Sequence, residues 1–205
     1  MNPPRHALIV LAAGGSRRLG ETKQLLRLDG ESLVRRAARL GLATAPTEAW
    51  LVCGANADAV HAEAADLPLR RVDCAGWQAG LGTSLATGVK ALGKQVEGAL
   101  VLLCDQPALD LAHLLALRDA WRVDPRRAAA SAYDGVLGVP ALLPRSWFAT
   151  LATGADDRGA RDLLRQHSDQ VHAVPANGLA QDLDTPAQRQ AWLTPASLGG
   201  NPPQE

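Results

Sequence analysis

The run Ala7-Leu8-Ile9-Val10-Leu11-Ala12-Ala13-Gly14-Gly15-Ser16-Arg17-Arg18-Leu19-Gly20-Glu21-Thr22-Lys23 decides how the rest of the chain is read. It opens with an unbroken apolar stretch, Ala7 to Leu11, the pattern of a strand buried on both faces. The glycines that follow let the backbone approach a ligand closely, and the N–H groups of such a turn can cradle phosphate oxygens. Arg17 and Arg18 add forked, permanently charged donors, and Lys23 adds a compact point charge. A strand that feeds a glycine-rich, cationic loop is a phosphate-handling element.

Two familiar phosphate loops do not fit. The dinucleotide fingerprint G-x-G-x-x-G fails because the glycines fall at 14, 15 and 20. Gly15 to Gly20 with Thr22 approaches G-x-x-x-x-G-K-[ST], but Glu21 stands where the lysine belongs, and its carboxylate would repel phosphates.

Outward from this loop, apolar runs alternate with helical periodicity. Residues 6–11, 49–53, 69–73 and 99–104 read as strands. Residues 32–42, 56–65, 83–92 and 110–121 read as helices, with Asn56 and Asp110 as possible caps and Thr83 or Ser84 at the start of the third. This alternation predicts an α/β fold, a mostly parallel sheet with helices on both faces. After Pro125 the rhythm changes. Residues 128–132, 139–143 and 170–174 read as strands, with Pro140 marking an edge or a bend. Residues 158–167 and 186–193 read as helices. The expectation is a single domain over residues 1–193 and a disordered Gly/Pro-rich tail over 194–205.

Composition narrows the function. The chain has 205 residues, 47% of them apolar, which suits one globular core. Formal net charge is zero, so no basic face invites nucleic acid or an anionic membrane. Cys53, Cys74 and Cys104 are odd in number and lack C-x-x-C spacing, which points away from a disulfide framework or zinc site and toward a reducing cytoplasm. The N-terminal residues do not read as a signal peptide, and no stretch is long enough for a membrane span.

The loop resembles the signature L-A-A-G-x-x-x-R-[ML]-G-x-x-K of the MobA-like nucleotidyltransferases. Leu11, Ala12, Ala13, Gly14, Arg18, Leu19, Gly20 and Lys23 all match it. The resemblance continues through Gly80-Leu81-Gly82-Thr83-Ser84-Leu85, Cys104-Asp105-Gln106-Pro107, Asp157-Arg158-Gly159-Ala160-Arg161 and Asp182-Leu183-Asp184-Thr185-Pro186. It is strongest to the molybdenum cofactor cytidylyltransferases. It implies a three-layer Rossmann-like nucleotidyltransferase fold and a Mg²⁺-dependent transfer of CMP from CTP to the phosphate of Mo-molybdopterin, with pyrophosphate released. Ala13 favours the cytidylyl branch, since guanylyl relatives commonly read L-A-G-G there. Alternatives are a GTP-dependent guanylyltransferase, a transferase for another small phosphorylated acceptor, and a non-catalytic cofactor chaperone. The resemblance also implies a molybdoenzyme as recipient of the product.

Nucleotidyl transfer asks a protein to position two partners and to neutralise growing negative charge. Arg18 and Lys23 are the candidate catalytic cations. Leu11, Ala12, Ala13, Gly14, Gly15 and Ser16 are the candidate nucleotide-binding backbone. Gly80 and Ser84, in a run of small residues before a helix, are expected near the base and ribose. Asp105 ends the most apolar strand and could be a turn residue or a metal ligand; the resemblance assigns it to the metal. Asp184, just before Thr185-Pro186, reads physically as a helix cap, and the resemblance makes it the second metal carboxylate. Asp182 could share its face. Arg161 could flank an anionic acceptor or sit in a helix salt bridge. Trp77 could pack over a ligand, in the core or as a lid. Cys104 reads as a small core residue. One departure stands out: Val139, in Gly138-Val139-Pro140, occupies a position where many of these cytidylyltransferases carry histidine.

Overall fold

The computed structural model describes residues 3–16, 20–154 and 159–180. Strand β1 (His6–Ala12) is buried along its whole length, as its apolar run requires. A short antiparallel ribbon, β2 (Arg27–Leu28) and β3 (Glu31–Ser32), precedes helix α1 (Leu33–Leu42). Then come β4 (Glu48–Cys53), α2 (Ala57–Ala62), β5 (Arg70–Asp73), α3 (Leu81–Ala91) and β6 (Gly98–Leu103). The second part holds α4 (Leu111–Val123), β7 (Ala128–Tyr133), β8 (Val136–Pro144), α5 (Phe148–Leu151), α6 (Arg161–Gln166) and β9 (Val171–Pro175).

Seven strands form one sheet in the order β5-β4-β1-β6-β8-β7-β9. β8 runs antiparallel to both its neighbours; the other pairings are parallel. Alternate residues of β1 feed two cores. Leu8, Val10 and Ala12 pack toward α1 and α4, and Ile9 and Leu11 pack toward α3 and α6. Helices therefore cover both faces, giving the three expected layers. Two glycines set how close the helices come. A Cβ on Gly41 of α1 would lie 2.6 Å from Leu8, and one on Gly88 of α3 would lie 2.8 Å from Ile9. A side chain at either position would force Leu8 or Ile9, or the helix itself, to shift.

Several expectations need correction. Of the two readings of Pro140, the edge is excluded, since β8 lies between β6 and β7, and the bend is what is found. The strand tolerates it because the register shifts there, with Ala130 opposite Ala141 but Ser131 opposite Gly138. In that bulge the ladder does not need the N–H that proline lacks. The carbonyls of the bulge are met by side chains instead: Ser131 Oγ donates to Pro140 O at 2.7 Å and Gln106 Nε2 to Val139 O at 3.0 Å. Asn56 sits at the start of α2 in a left-handed conformation, and its side chain donates to Thr22 Oγ1 rather than capping the helix. Helix α3 begins at Leu81, so Gly80 takes the cap position and Thr83 and Ser84 lie inside the helix. Asp110 does cap α4, accepting from the His113 N–H at 2.8 Å. The helix expected over 186–193 and the tail lie outside the described residues.

Candidate active site

β1 and β6 are parallel neighbours, with Leu11 opposite Leu103. The glycine loop leaving β1 and the segment leaving β6 therefore emerge side by side, at the carboxyl edge where ligands of open α/β sheets bind. The chain then returns in a short turn, Lys23–Leu25, that carries Lys23 to the same place. Lys23 Nζ donates to Asp105 Oδ2 at 2.9 Å, with the two side chains only 14% and 20% exposed. Two residues 82 positions apart thus meet at one point.

A cleft of about 380 Å³ opens around this pair. The glycine loop, from Ala13 to Ser16, forms one wall, and Trp77, Gly80, Leu81 and Ser84 form another. The start of α3 therefore borders the cleft, where the first amides of a helix have no intrahelical acceptor. Leu11 also reaches the cleft. The side chain of Ala12 does not; it packs into the core on the α1 side of the sheet. Trp77 lies across the loop: a Cβ on Gly15 would fall 2.7 Å from its indole ring. That contact is a packing reason for Gly15, beyond the freedom of its backbone.

The loop is clamped by a residue that the sequence reading passed over. Gln24 is buried, donating through Nε2 to Gly14 O at 2.9 Å and accepting through Oε1 from Ser16 Oγ at 3.4 Å. Ser16 Oγ in turn accepts from the Lys23 N–H at 2.9 Å. Both ends of the turn are tied to the segment that follows it. The segment carrying Asp105 is held in a similar way. Arg36, on α1, donates through Nη2 to Leu109 O at 2.9 Å, with Pro107 O at 3.4 Å. Gln106 joins the same segment to the β8 bulge.

Asp105 has one oxygen on Lys23. Its other oxygen, Oδ1, is buried without a hydrogen-bond partner among the described residues. A buried carboxylate oxygen left unpaired is costly, and a cation is the natural complement. The donor set therefore fits a hard divalent metal, which binds one or two carboxylates together with substrate phosphates. No group of three or more His, Cys, Asp or Glu side chains clusters for metal binding among the described residues. Cys104 is no nucleophile: burial, reinforced by the neighbouring Asp105 charge, pushes its thiol far up, and Sγ lies 3.5 Å from Leu11 O.

Arg17, Arg18, Asp157, Arg158, Asp182 and Asp184 lie outside the described residues. Arg161, at the start of α6, lines a separate hollow with Gly135 and Arg165 rather than the cleft. No helix is long and apolar enough to cross a membrane among the described residues.

The profile of the MobA-like NTP transferase domain matches residues 8–171, and the chain belongs to that family. It is 34% identical over 197 residues to nicotine blue oxidoreductase of Paenarthrobacter nicotinovorans, covering 90% of this chain and 95% of the relative. It is 30% identical over 181 residues to a probable molybdenum cofactor guanylyltransferase of Synechococcus elongatus, covering 77% and 91%. Among solved structures, Rv0371c of Mycobacterium tuberculosis superposes with TM-score 0.81 at 25% identity, covering 94% of this chain and 99% of that one. The same mycobacterial protein has been solved in complex with manganese, with TM-score 0.75 at 23% identity, covering 92% and 98%. The chain is thus a nucleotidyltransferase of the MobA-like kind, built on the fold these structures share.

Proposed function

We propose that this nucleotidyltransferase moves CMP from CTP to the terminal phosphate of Mo-molybdopterin, with Mg²⁺ as cofactor. The observation that carries the reading is the meeting of Lys23 and Asp105 at 2.9 Å beside the glycine loop. That is one cation and one metal-seeking carboxylate at the mouth of a phosphate cradle. The finding of manganese in the mycobacterial neighbour supports a divalent metal.

An oxygen of the acceptor phosphate attacks the α-phosphorus of CTP. The bond from that phosphorus to the bridging oxygen breaks, and pyrophosphate leaves. The glycine-loop amides hold phosphate oxygens, and their placement is kept by Gln24 and Ser16. Lys23 and Arg18 neutralise the charge that grows on the departing pyrophosphate. Asp105, with Asp184 as second carboxylate, would hold the metal, which when bound withdraws charge from the phosphates. Ser84, Gly80 and the start of α3 line the cleft, which supports reading them as the base and ribose side. Small residues there leave room for a ring, and helix amides can read its edge. The product dinucleotide would pass to a molybdoenzyme.

GTP is the second reading, favoured by the guanylyltransferase relative at 30% identity, with Ala13 as the residue against it. Pyrophosphate release is the first measurement, since one relative is named an oxidoreductase and a fold does not by itself fix the chemistry. With Mo-molybdopterin and Mg²⁺ supplied, kcat/KM for CTP should exceed that for GTP. Equal values would remove the cytidylyl assignment and leave the transferase. No pyrophosphate with either nucleotide would remove the acceptor.

A further inference from the structure

We propose that Lys23 keeps the Asp105 carboxylate closed to metal ions until a nucleotide draws the ammonium away, so that metal and NTP enter together rather than independently. The inference rests on the reading of Asp105 as a metal ligand. Its basis is the state of the two carboxylate oxygens. Oδ2 is engaged by Lys23 Nζ at 2.9 Å, and Oδ1 is shielded from solvent. Asp105 lines the cleft with 20% of its side chain exposed, but its Oδ2 is already in contact with the ammonium. A divalent cation approaching Oδ2 would meet an ammonium already in contact with it, and two cations at one oxygen repel.

A triphosphate relieves this conflict. Its oxygens give the ammonium another anionic partner within the same cleft. The lysine head rides on a flexible four-carbon stem, while its backbone N–H is anchored on Ser16 Oγ at 2.9 Å. The head can therefore move from carboxylate to phosphate without loss of the loop clamp. Arg36 and Gln106 hold the segment around Asp105, so the carboxylate stays in place to receive the metal. Each ligand then raises the affinity of the other by the same factor, as linkage requires. Without nucleotide the site is protected from adventitious metal.

Mn²⁺ binding, read as loss of the free-ion electron paramagnetic resonance signal, tests this without turnover. The titration is run on the full chain with and without an α,β-methylene analogue of CTP. Wild type should bind Mn²⁺ weakly alone and much more tightly with the analogue. Lys23→Met should bind Mn²⁺ alone at least about tenfold more tightly than wild type, with most of the nucleotide enhancement gone. Lys23→Gln, which keeps a polar head, should fall on the same side. Asp105→Asn in the Lys23→Met background should abolish the gain. Equal or weaker metal-only binding in both Lys23 variants, with melting curves showing folded protein, overturns the gate. So does a gain that survives Asp105→Asn. Failure of wild type to take Mn²⁺ even with the analogue overturns the metal reading itself, and the gate with it.

Discussion

Arg35–Asp66 and Lys23–Asp105 are the same kind of ion pair in two regions, and position makes them opposites. Arg35 and Asp66 meet on the outer surface through two parallel contacts, at 2.5 and 2.8 Å, with the carboxylate 66% exposed. Both carboxylate oxygens are satisfied, and the hydrogen-bonded guanidinium holds the Asp66 carboxyl down at about 2. Lys23 and Asp105 meet through one contact in the cleft, and one carboxylate oxygen finds no partner among the described residues. The surface pair is complete in itself. Among the described residues the cleft pair leaves one carboxylate oxygen open, the place where the proposed metal would complete it.

The largest effect expected from this contrast falls on Lys23→Ala. Transfer should slow by about 10²-fold or more, the scale of losing an electrostatic stabiliser, while the protein stays folded. Initial rates of pyrophosphate release, taken beside a melting curve, check both halves. A folded variant with the wild-type rate would make the two pairs equivalent and break the comparison.

Asp105→Asn keeps the shape and swaps a hard anionic oxygen for an amide. Nucleotide should bind more weakly in Mg²⁺, with a smaller loss in its absence. Asp184→Asn should act in the same direction, and the double variant should show less than the product of the two effects, as for residues acting as a unit. Asparagine also caps helices well, so a purely capping Asp184 would leave the Mg²⁺ dependence of the rate unchanged. Mg²⁺ titrations of the two single variants and the double variant decide the matter.

His6, at the far end of β1 from the cleft, sharpens the comparison with a buried group that has no counter-charge among the described residues. Its Nε2 lies 2.9 Å from Thr44 Oγ1, whose own proton goes to Gly41 O, so Nε2 carries the hydrogen. Burial, aided by the positive charges of Arg122 and Arg118, lowers its pKa to about 4. In the unfolded chain it takes up a proton near the ordinary value of about 6.5. The unfolded form therefore binds more protons between those two values. This contribution is whole above about 6.5 and is lost as pH falls toward 4, by at most about 3 kcal/mol. Urea unfolding at pH 7.5 and 4.5 should show the loss, and His6→Gln should flatten it. An identical difference in the variant would assign the acid sensitivity elsewhere.

The smallest effect is reserved for Asp66→Asn. An exposed pair is screened by solvent and salt, so transfer rate and melting temperature should both stay within error of wild type. A clear loss of activity would mean that the surface network reaches the cleft.

The first part of the chain was legible because burial and periodicity agree there. An unbroken apolar β1, a glycine loop and an apolar β6 leave one arrangement, which brings Lys23 and Asp105 to the same edge. The clamps were not legible. Gln24, Arg36 and Gln106 act through backbone carbonyls, and no sequence spacing announces a carbonyl acceptor. In the second part Pro140 left an edge or a bend open, and only the bulge opposite Ala130 and Ser131 makes it an interior bend. Of the candidate site, the residues fixed by strand ends were readable, and those fixed by side chain to backbone contacts were not.

The central place of β1 also has a consequence for how the protein is made. Its first partner, β4, follows within the first 53 residues, but the register that closes its other side pairs His6 with Gly98. At ribosomal rates of about 5–20 residues per second, that edge waits roughly 5–20 s for its neighbour. During that interval the most apolar segment near the N-terminus presents an open row of backbone groups, the geometry that recruits foreign strands. The strand that delivers the glycine loop to the cleft of the finished enzyme is, in the nascent chain, an edge that needs a chaperone's cover.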